Sequence, residues 1–139
     1  MKKVKVIIGS KDTGKTLTAR QLVKQKGLKT VFLEPKKFMN TSDLHWIFMS
    51  CEVDTQLICI DEIRNFNSLE YFVFAFQEEI EVNKQSQEPF YITPQEMILV
   101  CSEEITKEQI ESLGASLTRR IELMECTKET LEKQLQSLK

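Results

Sequence analysis

Val4-Lys5-Val6-Ile7-Ile8-Gly9-Ser10-Lys11-Asp12-Thr13-Gly14-Lys15-Thr16 is the stretch on which the reading of this chain turns. It opens with a short apolar run, Val4 to Ile8, of strand length. The run stops at Gly9, and a second glycine follows at Gly14. From Lys15 to Lys26 the residues read as a helix. Leu17, Leu22 and Val23 can share its buried side, and Gly27 supplies a C-terminal stop.

Between that strand and helix, Gly9 to Thr16 fits G-x-x-x-x-G-K-[ST] at every fixed position, which is the P-loop pattern in its expected setting. A phosphate chain needs several backbone N–H donors aimed at one place, and side chains would block the approach. Gly9 and Gly14 let the backbone wrap closely, and the helix beginning near Gly14 adds the positive end of its dipole. Lys15 is expected to reach the β- and γ-phosphates, and the Thr16 hydroxyl to coordinate Mg²⁺. The nucleotide contacts expected from the loop are Gly9, Ser10, Lys11, Asp12, Thr13, Gly14, Lys15, Thr16 and Leu17. Asp12 places a negative charge where small neutral residues are common, and its carboxylate is expected to face solvent.

The next informative stretch is Gln56-Leu57-Ile58-Cys59-Ile60-Asp61-Glu62. A continuous apolar run of this length suits a strand buried on both faces, and it ends in two carboxylates. Read with the loop upstream, this is the Walker B pattern. Asp61 would hold Mg²⁺ opposite Thr16, and Glu62 would orient and polarise the water that attacks the γ-phosphate.

Further strands are expected at Thr30–Leu33, Met97–Cys101 and Ile121–Cys126, the last alternating in polarity as at a sheet edge. Thr41, Ser42 or Asp43 can cap a helix carrying Leu44, Ile47 and Phe48. Ser68 can cap another, with Leu69, Phe72, Val73, Phe76 and Ile80 on one face. Residues 81–94 break that pattern and read as a hairpin or projecting loop. Thr106 with Gln109 forms a capping box for a helix bearing Ile110, Leu113 and Leu117, with Gly114 near its end. From Thr127 a charged helix follows, with Leu131, Leu135 and Leu138 as its stripe.

The chain has 139 residues, 41% apolar and 29% charged, with a formal net charge of −2. That is one domain's worth of ordinary globular sequence and not a uniformly basic nucleic-acid binder. No stretch has the length of a transmembrane helix or the character of a signal peptide. The four cysteines include no C-x-x-C pair and there is one histidine, His45. A zinc site is not indicated, the thiols are expected to be buried and reduced in a cytoplasmic protein, and His45 to pack or lie at the surface.

Five strands alternating with helices give a parallel sheet with helices on both faces. With the P-loop, the Asp-Glu Walker B, the polar hairpin and the paired arginines in that order, the chain resembles the AAA+ ATPase core, and in particular the superfamily three helicases of small viruses and mobile elements. The resemblance runs from Val4 to Cys126. It implies an α/β three-layer P-loop NTPase sandwich and a five-stranded, mainly parallel sheet of order 5-1-4-3-2; in a departure from typical AAA+ proteins, no C-terminal lid domain is expected. The single domain would span residues 1–139, with its core in 1–126. It further implies a polar sensor at Ser102, an arginine finger at Arg119 or Arg120 reaching a neighbouring subunit of a homo-oligomer, and single-stranded nucleic acid as a possible partner, with Lys84 in the segment that the family projects towards it.

The reading from sequence is thus a Mg·ATP-binding P-loop ATPase, helicase-like, acting on nucleic acid and not membrane-bound. Two alternatives stay open: a nucleotide-binding switch or scaffold without productive hydrolysis, and a small P-loop kinase. The absence of the guanine-specifying Asn-Lys-x-Asp motif favours ATP.

Overall fold

The computed structural model describes residues 3–35, 41–112 and 115–137. Its centre is a sheet of β1 (Val4–Gly9), β2 (Thr30–Leu33), β3 (Leu57–Ile63), β6 (Glu96–Cys101) and β7 (Ile121–Cys126). The order across it is β2-β3-β6-β1-β7, and every neighbouring pair runs parallel. A short antiparallel hairpin, β4 (Ile80–Val82) and β5 (Phe90–Ile92), forms a separate two-stranded sheet. Counting only the strands of the main sheet, the order is the expected 5-1-4-3-2.

The strand sequences explain why both faces are covered. Side chains alternate sides along a strand. Val4, Val6 and Ile8 of β1, Ile58 and Ile60 of β3, and Met97 and Leu99 of β6 all enter one apolar cluster. Ile7, Leu57, Cys59, Ile98 and Val100, the intervening residues, enter another. Central parallel strands buried on both faces therefore read as unbroken apolar runs.

Helix α1 (Lys15–Lys26) covers the second cluster through Ala19, with Leu22 and Val23 partly buried. Thr18 and Ala19 are its buried residues, so the buried side is centred a residue or two from the one expected through Leu17. Gly27 ends the helix in a left-handed conformation, φ 63°. Helix α2 (Phe66–Ala75), the hairpin and a segment at Thr41–Ser50 cover the other face.

Several local expectations are corrected. The Thr41–Ser50 segment is 3₁₀ rather than α, although Leu44, Ile47 and Phe48 are buried as their spacing required. Helix α2 is capped by Asn65, whose side chain accepts from the Ser68 N–H, so Ser68 is the capped residue and not the cap. Ile80 belongs to the hairpin, where Ile80, Val82 and Ile92 bury their side chains in the larger core. The helix expected after Thr106 is two pieces, α3 (Lys107–Glu111), with its capping box, and α4 (Ala115–Thr118); Leu113 and Gly114 lie outside the described residues. Helix α5 (Lys128–Ser137) follows β7; Leu135 is exposed, and Leu138 lies outside the described residues. All four cysteines are buried and unbridged. The His45 ring lies 4.7 Å from that of Trp46, a packing role. Among the described residues no helix is long and apolar enough to cross a membrane.

Candidate functional site

The parallel order puts the C-terminal ends of β1, β3 and β6 side by side, and open α/β sheets bind ligands at that edge. The turn after β1 is built by close approach. A Cβ added at Gly9 would lie 2.5 Å from the carbonyl oxygen of Cys126 and 2.8 Å from Thr13 Oγ1. Thr13, only 1% exposed, ties the turn by donating to the Ser10 carbonyl at 2.8 Å. Asp12 takes φ 60°, a conformation that Asp tolerates better than most residues, and is exposed as expected.

Gly14, at φ 79°, starts α1 with no side chain capping it, and the first turn holds no acid. The leading N–H groups of the helix therefore carry no local carboxylate or hydroxyl acceptor, which is the arrangement that receives an anion. Lys15 Nζ donates to the Gly9 carbonyl at 2.6 Å and the Ser10 carbonyl at 3.4 Å, so its ammonium lies against the loop.

Asp61 stands opposite. The Thr16 hydroxyl donates to its Oδ2 at 2.9 Å, and the Glu62 N–H donates to its Oδ1 at 2.7 Å. Two residues 45 positions apart thus place a hydroxyl and a carboxylate side by side. Hard oxygen donors of this kind suit Mg²⁺, which binds through one or two protein groups and otherwise through phosphate and water. Among the described residues no group of three or more His, Cys, Asp or Glu is arranged for an all-protein metal cage.

Strand β3 does not stop at Ile60, as its apolar run suggests. It continues through Asp61 and Glu62 to Ile63, with one extra residue bulged against β6 between Ile60 and Ile63. Glu62 sits in the bulge at φ 59°, a left-handed conformation that costs a non-glycine residue about 1–3 kcal/mol. Its carboxylate meets Arg64 at 3.5 Å.

One cleft of about 550 Å³ gathers Lys11 to Leu17, Asp61, Glu62, Arg64, Ser102, Glu103 and Glu104. The loop residues, both Walker B carboxylates and Ser102 are therefore brought together. The Ser102 N–H donates to the Ile63 carbonyl at 2.8 Å, and its hydroxyl accepts from the Glu104 N–H at 3.4 Å. Arg64 and Glu104 were not foreseen. The signal for Arg64 was Ile63, an apolar residue that keeps the strand going and leaves Arg64 two positions from Glu62.

Arg119 and Arg120 lie elsewhere. They precede β7, at the end of the sheet opposite the loop, since Val4 pairs with Ile121 and Gly9 with Cys126. Arg120 stacks over Phe74, 5.4 Å from its centroid, and donates to the Ser116 carbonyl and, at 3.3 Å, to its hydroxyl. It lines a second cavity of about 520 Å³ with His45, Tyr71, Phe74 and Glu78. Arg119 is exposed and makes no side-chain ion pair or hydrogen bond among the described residues. Lys84, expected in a segment projecting towards nucleic acid, pairs with Glu52 at 3.0 Å, its side chain 18% exposed.

No curated protein matches the chain. Among solved structures, the apo A form of the NrS-1 C-terminal region is similar in fold, with a TM-score of 0.53 and 15% identity. The likeness covers 97% of this chain and 33% of that one, so this chain spans about a third of its length. The family model described as AAA domain matches residues 1–125. The parallel sheet, the loop after β1 and the carboxylates Asp61 and Glu62 of β3 are the parts that this match spans, and the chain belongs to the AAA domain family.

Proposed function

We propose that this chain binds Mg·ATP in the cleft at Gly9–Thr16 and hydrolyses the β–γ bond. The observation that carries the reading is the Thr16 hydroxyl on the Asp61 carboxylate at 2.9 Å, across from the uncapped start of α1. Backbone N–H groups from Lys11 to Leu17 would hold the phosphates, with Lys15 on the β- and γ-phosphates. Thr16 and Asp61 would hold Mg²⁺, which when bound neutralises charge on the phosphate oxygens. Glu62 would orient the attacking water and take its proton as the new O–P bond forms and the β–γ bridge breaks. Ser102, in the same cleft, would contact the water or γ-phosphate.

Arg119 is the better candidate for a finger acting on a neighbouring subunit, because Arg120 is already engaged by Phe74 and Ser116. Neither can serve its own cleft from the far end of β7. The reading is completed by an oligomer acting on single-stranded nucleic acid. Phosphate release from Mg·ATP, with and without single-stranded DNA and with Lys15→Ala as control, tests it. Turnover that needs Lys15 and rises with DNA is expected. Nucleotide binding without turnover under either condition would overturn the motor.

That second outcome belongs to a nucleotide-binding switch. The observation favouring it is the Glu62–Arg64 pair, which engages the proposed water-activating carboxylate.

A further inference from the structure

Arg64 is the feature of the cleft that the proposed chemistry leaves unused. Two lysines and one arginine line the cleft, against five carboxylates: Asp12, Asp61, Glu62, Glu103 and Glu104. Lys15 is part of the loop, bonded to its carbonyls, and would keep its β-phosphate contact with a diphosphate as with a triphosphate. Arg119 and Arg120 stand at the opposite end of the six-residue strand β7, roughly 17 Å from the loop by strand rise. Arg64 is the guanidinium within the cleft.

Its present partner holds it loosely. The Arg64–Glu62 contact is a single nitrogen to a single oxygen at 3.5 Å, with the side chains 52% and 44% exposed. Strong charge-assisted bonds are nearer 2.7–2.9 Å, and a guanidinium is best matched by two oxygens in one plane. A terminal phosphoryl group offers that pair with more charge than a carboxylate. Glu62 sits in the bulge and Arg64 directly follows the end of β3, so both stand where the strand has run past its apolar stretch.

We propose that Arg64 is a triphosphate-sensing cation acting within its own chain: it leaves Glu62 for the γ-phosphate of a seated triphosphate, and the Glu62 carboxylate is thereby released to the water. This rests on the Mg·ATP reading and adds to it the residue that distinguishes triphosphate from diphosphate.

The test is to titrate wild type, Arg64→Ala, Arg64→Lys and Lys15→Ala with Mg·ADP and with a non-hydrolysable Mg·ATP analogue, alongside turnover of Mg·ATP. Wild type should prefer the triphosphate about tenfold or more, and Arg64→Ala should lose most of that preference with ADP affinity unchanged. Turnover should fall by about tenfold or more in Arg64→Ala, with partial recovery in Arg64→Lys. Wild-type preference and turnover in Arg64→Ala would overturn the proposal and leave the ATPase reading standing. Faster turnover in Arg64→Ala would also overturn it, marking the pair as a brake. Failure of wild type to bind either nucleotide would overturn the ATPase reading and the proposal together.

Discussion

Gly9 and the Thr16–Asp61 pair set the geometry of the cleft at the scale of single residues. A methyl group at Gly9 meets a backbone oxygen at 2.5 Å, in a strand that cannot move away without breaking its pairing. Gly9→Ala should cost about 1–3 kcal/mol in a urea melt and reduce nucleotide binding by more than the loss of folded protein explains. The excess of carboxylates over cations in the cleft makes a bare triphosphate a poor ligand. Chelating Mg²⁺ should therefore weaken ATP binding by about tenfold or more in a titration, and Asp61→Ala should remove most of that metal dependence. Gly9 and Thr16 were legible because a P-loop is a local pattern, with every fixed position inside eight residues, and Asp61 because it follows a continuous apolar run. Arg64 and the backbone of Glu62 were not. The bulge that places them is a mismatch between β3 and β6, and nothing within β3 alone announces a register.

Elements were legible where burial is two-sided or capping is local, and less so where tertiary packing decides. Strands β1 and β6 and helix α1 fall where their apolar runs and glycine stop require, whereas β3 runs past its apolar run to Ile63. The Thr41–Ser50 segment has helical spacing but winds as 3₁₀, with β4 of the hairpin and α2 packed against it. Asn65→Ala should cost about 1 kcal/mol of stability through the lost cap on α2, whereas Ser68→Ala should leave that cap bond intact, since Ser68 contributes its backbone N–H. Burial pushes the thiols of Cys59 in β3 and Cys101 in β6 from 9.0 up to about 12. The unfolded chain releases these protons from pH 9 upwards while the folded chain keeps them to about 12. Their contribution is thus complete below the lower value and is lost as pH rises through the window, by about 1.4 kcal/mol per pH unit for each thiol. Denaturant melts between pH 9 and 12 should show a shallower decline in Cys59→Ala than in wild type.

For the whole molecule, the parallel sheet separates two chemistries by the length of a strand. The cleft proposed to hold the nucleotide lies at the C-terminal end of β1 and β3, and the paired arginines lie before β7 at the other. A finger at Arg119 can then act only between copies. Lys15→Ala chains keep Arg119, and Arg119→Ala chains keep the loop, so mixing two inactive variants should restore a fraction of wild-type turnover. Arg64→Ala mixed with Lys15→Ala should restore none, because each defect lies in the same cleft. The most direct measurement for the account as a whole is phosphate release from Mg·ATP by wild type and Glu62→Gln, with nucleotide affinity measured on the same samples. The account predicts that Glu62→Gln binds Mg·ATP at least as tightly as wild type and that its turnover falls by about a hundredfold or more. Unchanged turnover in Glu62→Gln would remove Glu62 from the chemistry and contradict the mechanism built on this cleft.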